Sequence, residues 1–599
     1  MDDVDRNPRQ GRGGAHGRGG AHGRGGAGLV PLLSWVRRYD RSWLSKDAVA
    51  GLTLWGLLVP QGMAYAGIAG LPPQAGLYTL VVSLLVYALF GTSRHLSVGP
   101  TSATSALLAS AALLAVGAGA IGGVDPALYQ AYASAFVLVT GLVFLGAGLA
   151  KLGFITQFLS KPVMDGFVLG LALFVAVGQL NKVFGVAKPD GNTVQRLFGI
   201  LQTIPESNWP TVAVGLAALV LLFTLPRWNR RIPAGLVVLF SAIAVSAALD
   251  LSGRYGVHVI GTLPAGLPAL TFSPLPLRAY LAMVLPAIGV LLVAFSEALG
   301  AAREFADRHG YEVDPDQELN AHAATNLVSA LFGGMIAAGG MSGSAVKEGA
   351  GAKSQVSNLI AWVATVITLL FLTPLFSSLP EAVLAALIIQ AVWSIIAARK
   401  LKRLRAASRT EFWFGLFAML GVVFIDVLEG MIIGLVSSLL FVVYRTSRPH
   451  LAVLGALPEF PGTYAELSRH PECTPVPGVL IVRLDGPLYY ANALTVRDTI
   501  KSLIDQFAPP PGALIIDLRV QAGLDVTSAE VLAGLLRDLQ GRGFAVRLAD
   551  VHAPVLDLMR TLGIFDVLDE QHVLRNVNEA VRDLGKGPAD EPEPRLASG

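Results

Sequence analysis

The stretch from Ala48 to Ser93 contains no Asp, Glu, Lys or Arg, and this absence of charge constrains the fold more than any other feature of the sequence. A helix needs about 20 predominantly apolar residues to cross the hydrocarbon core of a bilayer, so the stretch holds two membrane spans. Gly70-Leu71-Pro72-Pro73 marks the turn between them, because glycine and proline interrupt helices. The N-terminal part of the chain is therefore predicted to be integral to a membrane and surrounded by lipid.

The distribution of charge divides the chain into two parts. Charged residues make up 15% of the 599 residues, against roughly 25% in an average soluble domain. Of the 45 basic and 42 acidic residues, 33 lie within residues 450–599. We therefore predict a large membrane domain followed by a soluble C-terminal domain, which excludes a soluble enzyme, a fibrous protein and a disordered chain. The net charge of +3 is too small to indicate a nucleic-acid partner, and the single cysteine, Cys473, cannot form an internal disulfide.

Apolar stretches continue through the membrane part and predict a polytopic α-helical protein. The predicted spans, fourteen in all, are 48–68, 75–91, 99–116, 129–150, 163–182, 211–226, 233–249, 281–302, 319–333, 342–352, 356–376, 380–396, 410–425 and 428–444. The third and the tenth are short and rich in glycine. An N-terminus in the cytoplasm would place 22 Lys and Arg in the inside loops and five in the outside loops. This asymmetry supports an even number of spans and a cytoplasmic C-terminal domain.

The chain is predicted to have four parts. Residues 1–30 contain a six-residue unit rich in Gly, Arg and His that occurs three times, and they are predicted to be disordered. The tail 585–599 is also predicted to be disordered. Residues 31–448 form the transmembrane domain, and residues 450–584 form a cytoplasmic α/β domain. In that domain we predict strands at 479–486, 513–520 and 544–551, with helices at 491–507, 527–540, 553–562 and 572–584.

Two segments interrupt the membrane pattern in the same way. Residues 95–104 precede one short helix, and residues 337–346 precede the other. Extended backbone at membrane depth cannot face lipid, so each segment must be buried in protein or line a polar cavity. Each ends at a helix N-terminus, where free N–H groups and the helix dipole favour an anion.

The spacing of the two segments indicates an internal repeat. Pro100 and Gly343 are 243 positions apart, and the span starts at 48 and 281 are 233 apart. Two halves of seven spans, at about 48–249 and 281–444, must insert with opposite orientation because seven is odd. Inverted repeats with broken helices at the midplane are typical of secondary transporters. The alternative is that both Gly/Ser runs are only close helix-packing surfaces.

Glu297 is the one ionisable residue between Arg278 and Arg303, and an acid inside a span is a candidate functional residue. It could carry H⁺ or, less readily, Na⁺, or it could only form a structural hydrogen bond. Gln61 and Tyr65 share a helix face and could hydrogen-bond an anion, although Gln61 could equally join two helices.

No nucleophile–base pair, metal-ligand spacing or P-loop is present, so we expect no enzyme activity, no cofactor and no metal.

Four stretches resemble the SulP anion permeases, the solute carrier 26 family: 58–78, 90–100, 303–319 and 342–355. The C-terminal strand–helix pattern is similar to the STAS domain of that family. The resemblance implies a 7+7 inverted repeat of UraA-like type with core and gate domains, a homodimer, and elevator-like transport of anions. Family substrates include sulfate, bicarbonate, chloride, oxalate and dicarboxylates such as fumarate.

By position, the resemblance implies an anion site formed by Gln61, Tyr65, Thr101, Met341, Ser342 and Gly343, with Glu297 at an acidic position that would couple a cation. Many members have Arg where this chain has Gly343. Helix dipoles and backbone amides would therefore act here without that fixed charge, which favours H⁺ on Glu297 as the balancing cation.

The STAS relatives carry a phosphorylatable serine in an Asp-x-Ser-Gly motif, and the corresponding run here is 525–529. Thr527 is expected to cap the following helix, and the domain is expected to regulate or assemble the carrier. The predicted function is proton-coupled symport of a small anion across a bacterial inner membrane. An exchanger, an anion channel and a membrane-anchored signalling protein are the alternatives.

Overall fold

The computed structural model describes residues 39–586 except 117–124, 155–159, 229–233, 272–273, 394–407 and 508. The predicted N-terminal segment 1–30 and most of the predicted tail 585–599 lie outside the described residues. The chain divides into two compact units, Met1–Leu435 and Val436–Gly599, which are treated separately below. The division falls inside a helix, Val427–Thr446, a little before the predicted boundary at residue 449.

A helix occupies each of the fourteen predicted span positions. In chain order the helices before the C-terminal domain are α1 (Leu44–Ile68), α2 (Pro73–Phe90), α3 (Ser102–Val116), α4 (Pro126–Leu149), α5 (Lys161–Phe184), α6 (Thr193–Thr203), α7 (Trp209–Trp228), α8 (Ala234–Leu249), α9 (Leu251–Tyr255), α10 (Leu277–His309), α11 (Pro315–Leu331), α12 (Met341–Gly349), α13 (Val356–Ile367), α14 (Glu381–Trp393), α15 (Arg409–Phe424) and α16 (Val427–Thr446). In the described part of the chain, eight helices are long and apolar enough to cross a membrane. The number of fourteen spans stays a prediction.

Several helices differ in length from the predicted spans. Helix α10 has 33 residues, about 50 Å, and extends beyond the predicted span 281–302 at both ends. After α13 the chain continues as a π-helix, Thr368–Leu372, and a 3₁₀-helix, Thr373–Ser378. Pro374 explains this change, because proline lacks the N–H that an α-helix needs. Helix α6 was not predicted, although Asn192 and Gln195 form a capping box that marks its start.

The membrane helices form two groups. Helices α1–α4 pack with α10–α13, and we call this set the core group. Helices α5, α7 and α8 pack with α14 and α15, and we call this set the gate group. The groups meet mainly where α1 contacts α8 and α14 and where α3 contacts α5. This division corresponds to the core and gate domains that the resemblance implies.

Glycines allow the closest helix contacts within each group. A Cβ atom built on Gly76 of α2 would lie 1.9 Å from the Gly62 carbonyl oxygen of α1. In the gate group, a Cβ atom on Gly166 would lie 1.9 Å from the Gly415 carbonyl oxygen. The backbones touch at both places, as small-residue packing in membranes requires.

Six strands form one sheet in the C-terminal domain, in the order β4-β3-β5-β6-β7-β8. The strands are β3 (Leu451–Ala456), β4 (Tyr464–Glu466), β5 (Val479–Leu484), β6 (Ala513–Asp517), β7 (Ala545–Ala549) and β8 (Val573–Leu574), and the helices are α17 (Ala493–Gln506), α18 (Val526–Gly541), α19 (Ala553–Thr561) and α20 (Val577–Asp583). Strands β5–β8 are parallel, whereas β3 pairs antiparallel with both β4 and β5. The predicted strands correspond to β5, β6 and β7. The sequence missed β3, β4 and β8, and β8 takes the start of the predicted helix 572–584.

Candidate functional site

The two interrupted segments lie side by side. Strand β1 (Ser97–Gly99) pairs antiparallel with β2 (Ala338–Gly340), with Ser97 opposite Gly340 and Gly99 opposite Ala338. Helix α3 begins at Ser102 and helix α12 begins at Met341, directly after these strands. The two helix N-termini therefore lie beside the same pair of strands, and a Cβ atom built on Gly340 would lie 3.6 Å from Thr101 Cγ2. The first turn of each helix has N–H groups without partners inside the helix and carries the positive end of the dipole.

Polar side chains satisfy the extended backbone around the two strands. The Ser97 N–H donates to Ser344 Oγ (2.9 Å), and that hydroxyl donates to the Gly340 carbonyl oxygen (2.7 Å). The Asn326 amide bonds both the Ala337 N–H (2.9 Å) and the Ala337 carbonyl oxygen (3.0 Å). Backbone that leaves the helical pattern at membrane depth needs such partners. The paired strands are thus held rigidly inside the core group.

Thr101 caps helix α3. Its Oγ1 accepts a hydrogen bond from the Thr104 N–H (3.2 Å), and the Thr101 N–H donates in turn to Thr104 Oγ1 (3.2 Å). The reciprocal pair fixes where α3 begins. These hydrogen bonds position the N-terminus of α3. Thr101 is half-buried, so part of its side chain remains accessible.

The start of helix α12 is open. Met341 is 37% exposed and Ser342 is also exposed, whereas Gly343 is buried. A Cβ atom built on Gly343 would lie 3.5 Å from Leu58 Cδ2 and 3.5 Å from Ser97 Oγ. The Ser97 hydroxyl is buried and has no hydrogen-bond partner among the described residues. The site therefore combines an accessible helix N-terminus with an unsatisfied hydroxyl.

Three other predicted site residues lie on α1 and α10. Gln61 is half-buried and Tyr65 is buried, and neither side chain forms a hydrogen bond within the described part of the chain. Glu297 is half-buried and is close enough to Tyr65 to interact with it electrostatically. The next residue, Ala298, borders strand β2, because its Cβ would lie 2.9 Å from one built on Gly339.

The acids of the core group differ in their partners. Asp47 accepts hydrogen bonds from Ser354 Oγ (2.7 Å) and the Lys353 N–H (2.7 Å). Glu318 accepts from Tyr87 OH (2.9 Å) and from the N–H (2.7 Å) and hydroxyl of Thr92. Glu297 has no hydrogen bond or ion pair among the described residues. Asp47 and Glu318 therefore hold neighbouring segments together, whereas the Glu297 carboxyl has no such role among the described residues.

A cavity of about 270 Å³ lies between α1 and the gate group. Met63 and Ala64 line it from α1, next to the turn that carries Gln61 and Tyr65. On the gate side, Lys182 of α5 pairs with Glu381 of α14 at 3.4 Å. The cavity shows that polar space exists where the core group meets the gate group.

Lys347 is a functional candidate that the sequence patterns did not reveal. It is counted above with the basic residues of the inside loops, but it lies in helix α12 and is 0% exposed. Its Nζ donates to Asn358 Oδ1 (2.9 Å). Its position within the predicted tenth span, four residues after Gly343, was the signal that could have identified it.

The C-terminal domain corrects one prediction about capping. Asp525, not Thr527, caps helix α18, since its carboxylate accepts from the Ser528 N–H (2.9 Å) and the Ser528 hydroxyl completes a capping box. Asp caps well because its carboxylate also favours the positive end of the helix dipole. Thr527 is exposed, whereas Ser528 is fully buried, so only Thr527 is accessible to a modifying enzyme.

An ion pair closes one end of the sheet in the same domain. Asp517, at the end of β6, is buried and binds Arg519 Nε through Oδ2 (2.8 Å), and Arg519 also reaches Asp550 (3.1 Å). Burial raises the pKa of Asp517 in spite of Arg519, because removing the carboxylate from water outweighs the attraction of an arginine that is half exposed.

Comparison with known proteins identifies relatives along almost the whole chain. A profile of the sulfate permease family matches residues 44–418, and a profile of the STAS domain matches residues 470–580. A probable sulfate transporter of Mycobacterium tuberculosis is 32% identical over 556 residues, which cover 93% of this chain and 98% of that relative. Probable sulfate transporter 3.4 of Arabidopsis thaliana is 30% identical, covering 93% of this chain and 87% of its own length.

Solved structures show the same architecture. The murine solute carrier 26 family member A9, described as an anion transporter in the inward-facing state, superimposes with a TM-score of 0.84. It is 25% identical, and the match covers 93% of this chain and 94% of that one. The transmembrane domain of the cyanobacterial bicarbonate transporter BicA, at 24% identity, shares the fold over 67% of this chain and 98% of its own, with a TM-score of 0.57. The predicted fold class is confirmed.

Proposed function

Because this chain is an anion transporter of the sulfate permease family, with a C-terminal STAS domain, we propose that it carries sulfate as a secondary active transporter. Bicarbonate and dicarboxylates such as fumarate are the other candidate substrates. Members of the family are transporters and not enzymes, and the relatives named as sulfate transporters align with the chain over most of their lengths.

The observation that carries the proposal is the antiparallel pairing of Ser97–Gly99 with Ala338–Gly340. It joins two opposed helix N-termini, with Ser342 exposed at one and Thr101 capping the other. Backbone N–H groups and helix dipoles can bind an anion there without the free-energy cost of burying a charged side chain. Gln61 and Tyr65 provide further hydrogen-bond donors on the facing helix.

Uptake by purified protein in liposomes tests the substrate. We expect labelled sulfate to accumulate with saturable kinetics, and unlabelled competitors to rank the other anions. Ser342→Ala should weaken sulfate uptake, whereas Ser241→Ala, on gate-group helix α8 away from the site, should not. Failure of all the anions to be transported would contradict the proposal.

Glu297 would couple transport to protons. Its carboxyl lacks a partner among the described residues and lies close to Tyr65, and the next residue, Ala298, borders strand β2. A proton on Glu297 would balance part of the charge of a bound anion in a poorly hydrated space.

A pH-sensitive dye inside the liposomes tests this coupling. Inward sulfate transport should acidify the lumen, and Glu297→Gln should abolish the acidification. Glu304→Gln is the matched control, because Glu304 lies on the same helix but is exposed and pairs with Arg308. Acidification that survives Glu297→Gln, or uptake that depends on Na⁺ instead, would rule out proton coupling through this residue.

An elevator movement of the core group against the gate group would provide alternating access. A hydrogen bond joins the groups where Ser110 of α3 donates to Asp426, between α15 and α16 (3.1 Å). In a Cys473→Ser background, cross-linking Ser110→Cys to Asp426→Cys should stop uptake, and reduction should restore it. Cross-linking Phe223→Cys to Trp393→Cys should have little effect, because these two rings pack 5.9 Å apart within the gate group and do not line the cavity. Full activity of the first cross-linked protein would contradict the elevator.

An exchanger or an anion channel could use the same site. Planar bilayer recordings separate these cases, since a channel gives unitary currents and a carrier gives saturable uptake without measurable conductance. An exchanger would require a counter-anion in the lumen. The same proposal places the STAS domain in the cytoplasm of a bacterium, which protease protection tests. It also includes assembly as a homodimer, which light scattering in detergent tests.

A further inference from the structure

Lys347 is a buried basic residue inside the short helix α12, which carries part of the candidate site. Its side chain is 0% exposed, and its Nζ donates to the neutral Asn358 side chain at 2.9 Å. In the part of the chain that the structure describes, no carboxylate forms an ion pair with it. A buried ammonium group without a directly paired carboxylate is costly, so an anion bound nearby would stabilise it.

Asp47 interacts electrostatically with Lys347 without a direct contact, and its carboxylate oxygens already accept other hydrogen bonds. They accept hydrogen bonds from the Lys353 N–H, the Ser354 N–H and the Ser354 hydroxyl. These partners lie beyond the C-terminal end of α12, whereas the paired strands lie at its N-terminal end. Lys347 is therefore placed between Asp47 and the candidate anion site.

A short chain of contacts connects Lys347 to the wall of that site. Asn358 accepts from Lys347 and donates to the Leu96 carbonyl oxygen (3.3 Å). The next residue, Ser97, has the buried hydroxyl without a partner that lies 3.5 Å from a Cβ atom built on Gly343. Side chains on a helix also lean toward its N-terminus, which brings the Lys347 stem toward Gly343.

We propose that Lys347 supplies the positive charge of the anion site and makes the site prefer divalent over monovalent anions. This inference rests on the proposed transport function. Lys347 lies six positions after Met341, a helical rise of about 9 Å, so an anion just beyond the N-terminus of α12 is about 12 Å from Lys347. At an effective dielectric constant of about 20, Coulomb's law gives about tenfold in affinity for each unit of anion charge.

Equilibrium binding of sulfate and of chloride to the detergent-purified full chain tests the proposal. Lys347→Met should weaken sulfate binding about a hundredfold and chloride binding about tenfold. Lys347→Gln, which can keep a hydrogen bond to Asn358, should do the same if the methionine variant does not fold. Lys353→Met is the control, because Lys353 is exposed on the loop after α12 and its loss should change neither affinity.

A second substitution separates charge from structure. Gly343→Arg in the Lys347→Met background should restore the preference for sulfate, since a Cβ atom at 343 meets only ordinary contacts. Equal losses for both anions, with no recovery in the double variant, would show a structural role and overturn the proposal, as would unchanged affinities in Lys347→Met. Wild-type protein that binds neither anion would instead refute the transport function itself.

Discussion

At the residue scale, the chemistry of this transporter depends on which polar groups have partners. Asp47, Glu318 and Thr101 are held by hydrogen bonds and shape the site, whereas Glu297 and the Ser97 hydroxyl have none within the described chain. The sequence identified Glu297 because an acid in an apolar span is conspicuous. It did not reveal which of the other polar residues are engaged, because their partners are more than 200 positions away in several cases.

Thr101 gives a prediction at this scale. Thr101→Ala removes the cap of α3 and should cost about 1 kcal/mol of stability. Sulfate affinity should fall as well, because the N–H groups of the first turn lose their fixed position. Thermal unfolding and equilibrium binding on the purified protein measure both effects. Thr101→Ser keeps the capping oxygen and should retain most of both, so a serine variant as impaired as alanine would argue against capping.

Asp517 gives a pH prediction for the C-terminal domain. Its raised pKa means that the folded domain holds this proton more tightly than the unfolded chain does. Its contribution to stability is therefore present at low pH and is lost as pH rises from the ordinary carboxyl range through the raised pKa. Asp517→Asn should remove that loss in denaturant titrations of residues 450–586 that start near the ordinary carboxyl pKa, about 4, and continue to higher pH. Asp505→Asn, at an exposed carboxylate, should leave the pH profile as it is.

At the element scale, the decisive feature is a two-stranded sheet of three residues on each side. The sequence predicted two interrupted segments at equivalent positions of the two halves. Because both halves contain such a segment, the pair favours a binding site more strongly than one segment alone would. Strand pairing itself was not predictable, because residues 97–99 and 338–340 meet only after all the core helices have packed.

Two neighbouring glycines in β2 test the importance of this pairing. A Cβ atom on Gly339 would lie 2.7 Å from Leu96 Cδ2 and 2.9 Å from Ala298 Cβ, whereas one on Gly340 meets only Thr101 Cγ2 at 3.6 Å. Gly339→Ala should therefore displace β2 or α10 and cost about 2 kcal/mol through overpacking. Gly340→Ala should be close to neutral. Sulfate uptake and thermal unfolding of the two variants measure these effects. A Gly340→Ala variant that is more impaired than Gly339→Ala would contradict the prediction.

At the scale of the whole molecule, the two compact units have different tasks. The candidate anion site lies wholly within Met1–Leu435, and the C-terminal unit has its own hydrophobic clusters on both faces of its sheet. Each described side chain of the candidate site belongs to the core group, and in the proposed elevator mechanism the gate group would be the surface against which the core group moves.

Deletion of residues 450–599 tests this division of labour. The truncated protein should bind sulfate with an affinity within about threefold of the full chain, because no site residue is removed. Transport rate or assembly can change, since the deleted unit is expected to regulate or assemble the carrier. Equilibrium binding and gel filtration in detergent measure affinity and folding. Complete loss of binding in a truncate that elutes as a folded species would refute the division.

The sequence by itself determined the membrane character, the positions of the helices, the repeat and the family, because hydrophobic length, glycine-rich interruptions and long motifs are local properties of the chain. The functional role that it predicted for Glu297 stays a prediction. Only the tertiary structure decided that β1 pairs with β2 and that Lys347 is buried in helix α12 rather than exposed in a loop. These outcomes depend on contacts between distant segments, and burial and charge compensation exist only once those segments are packed together.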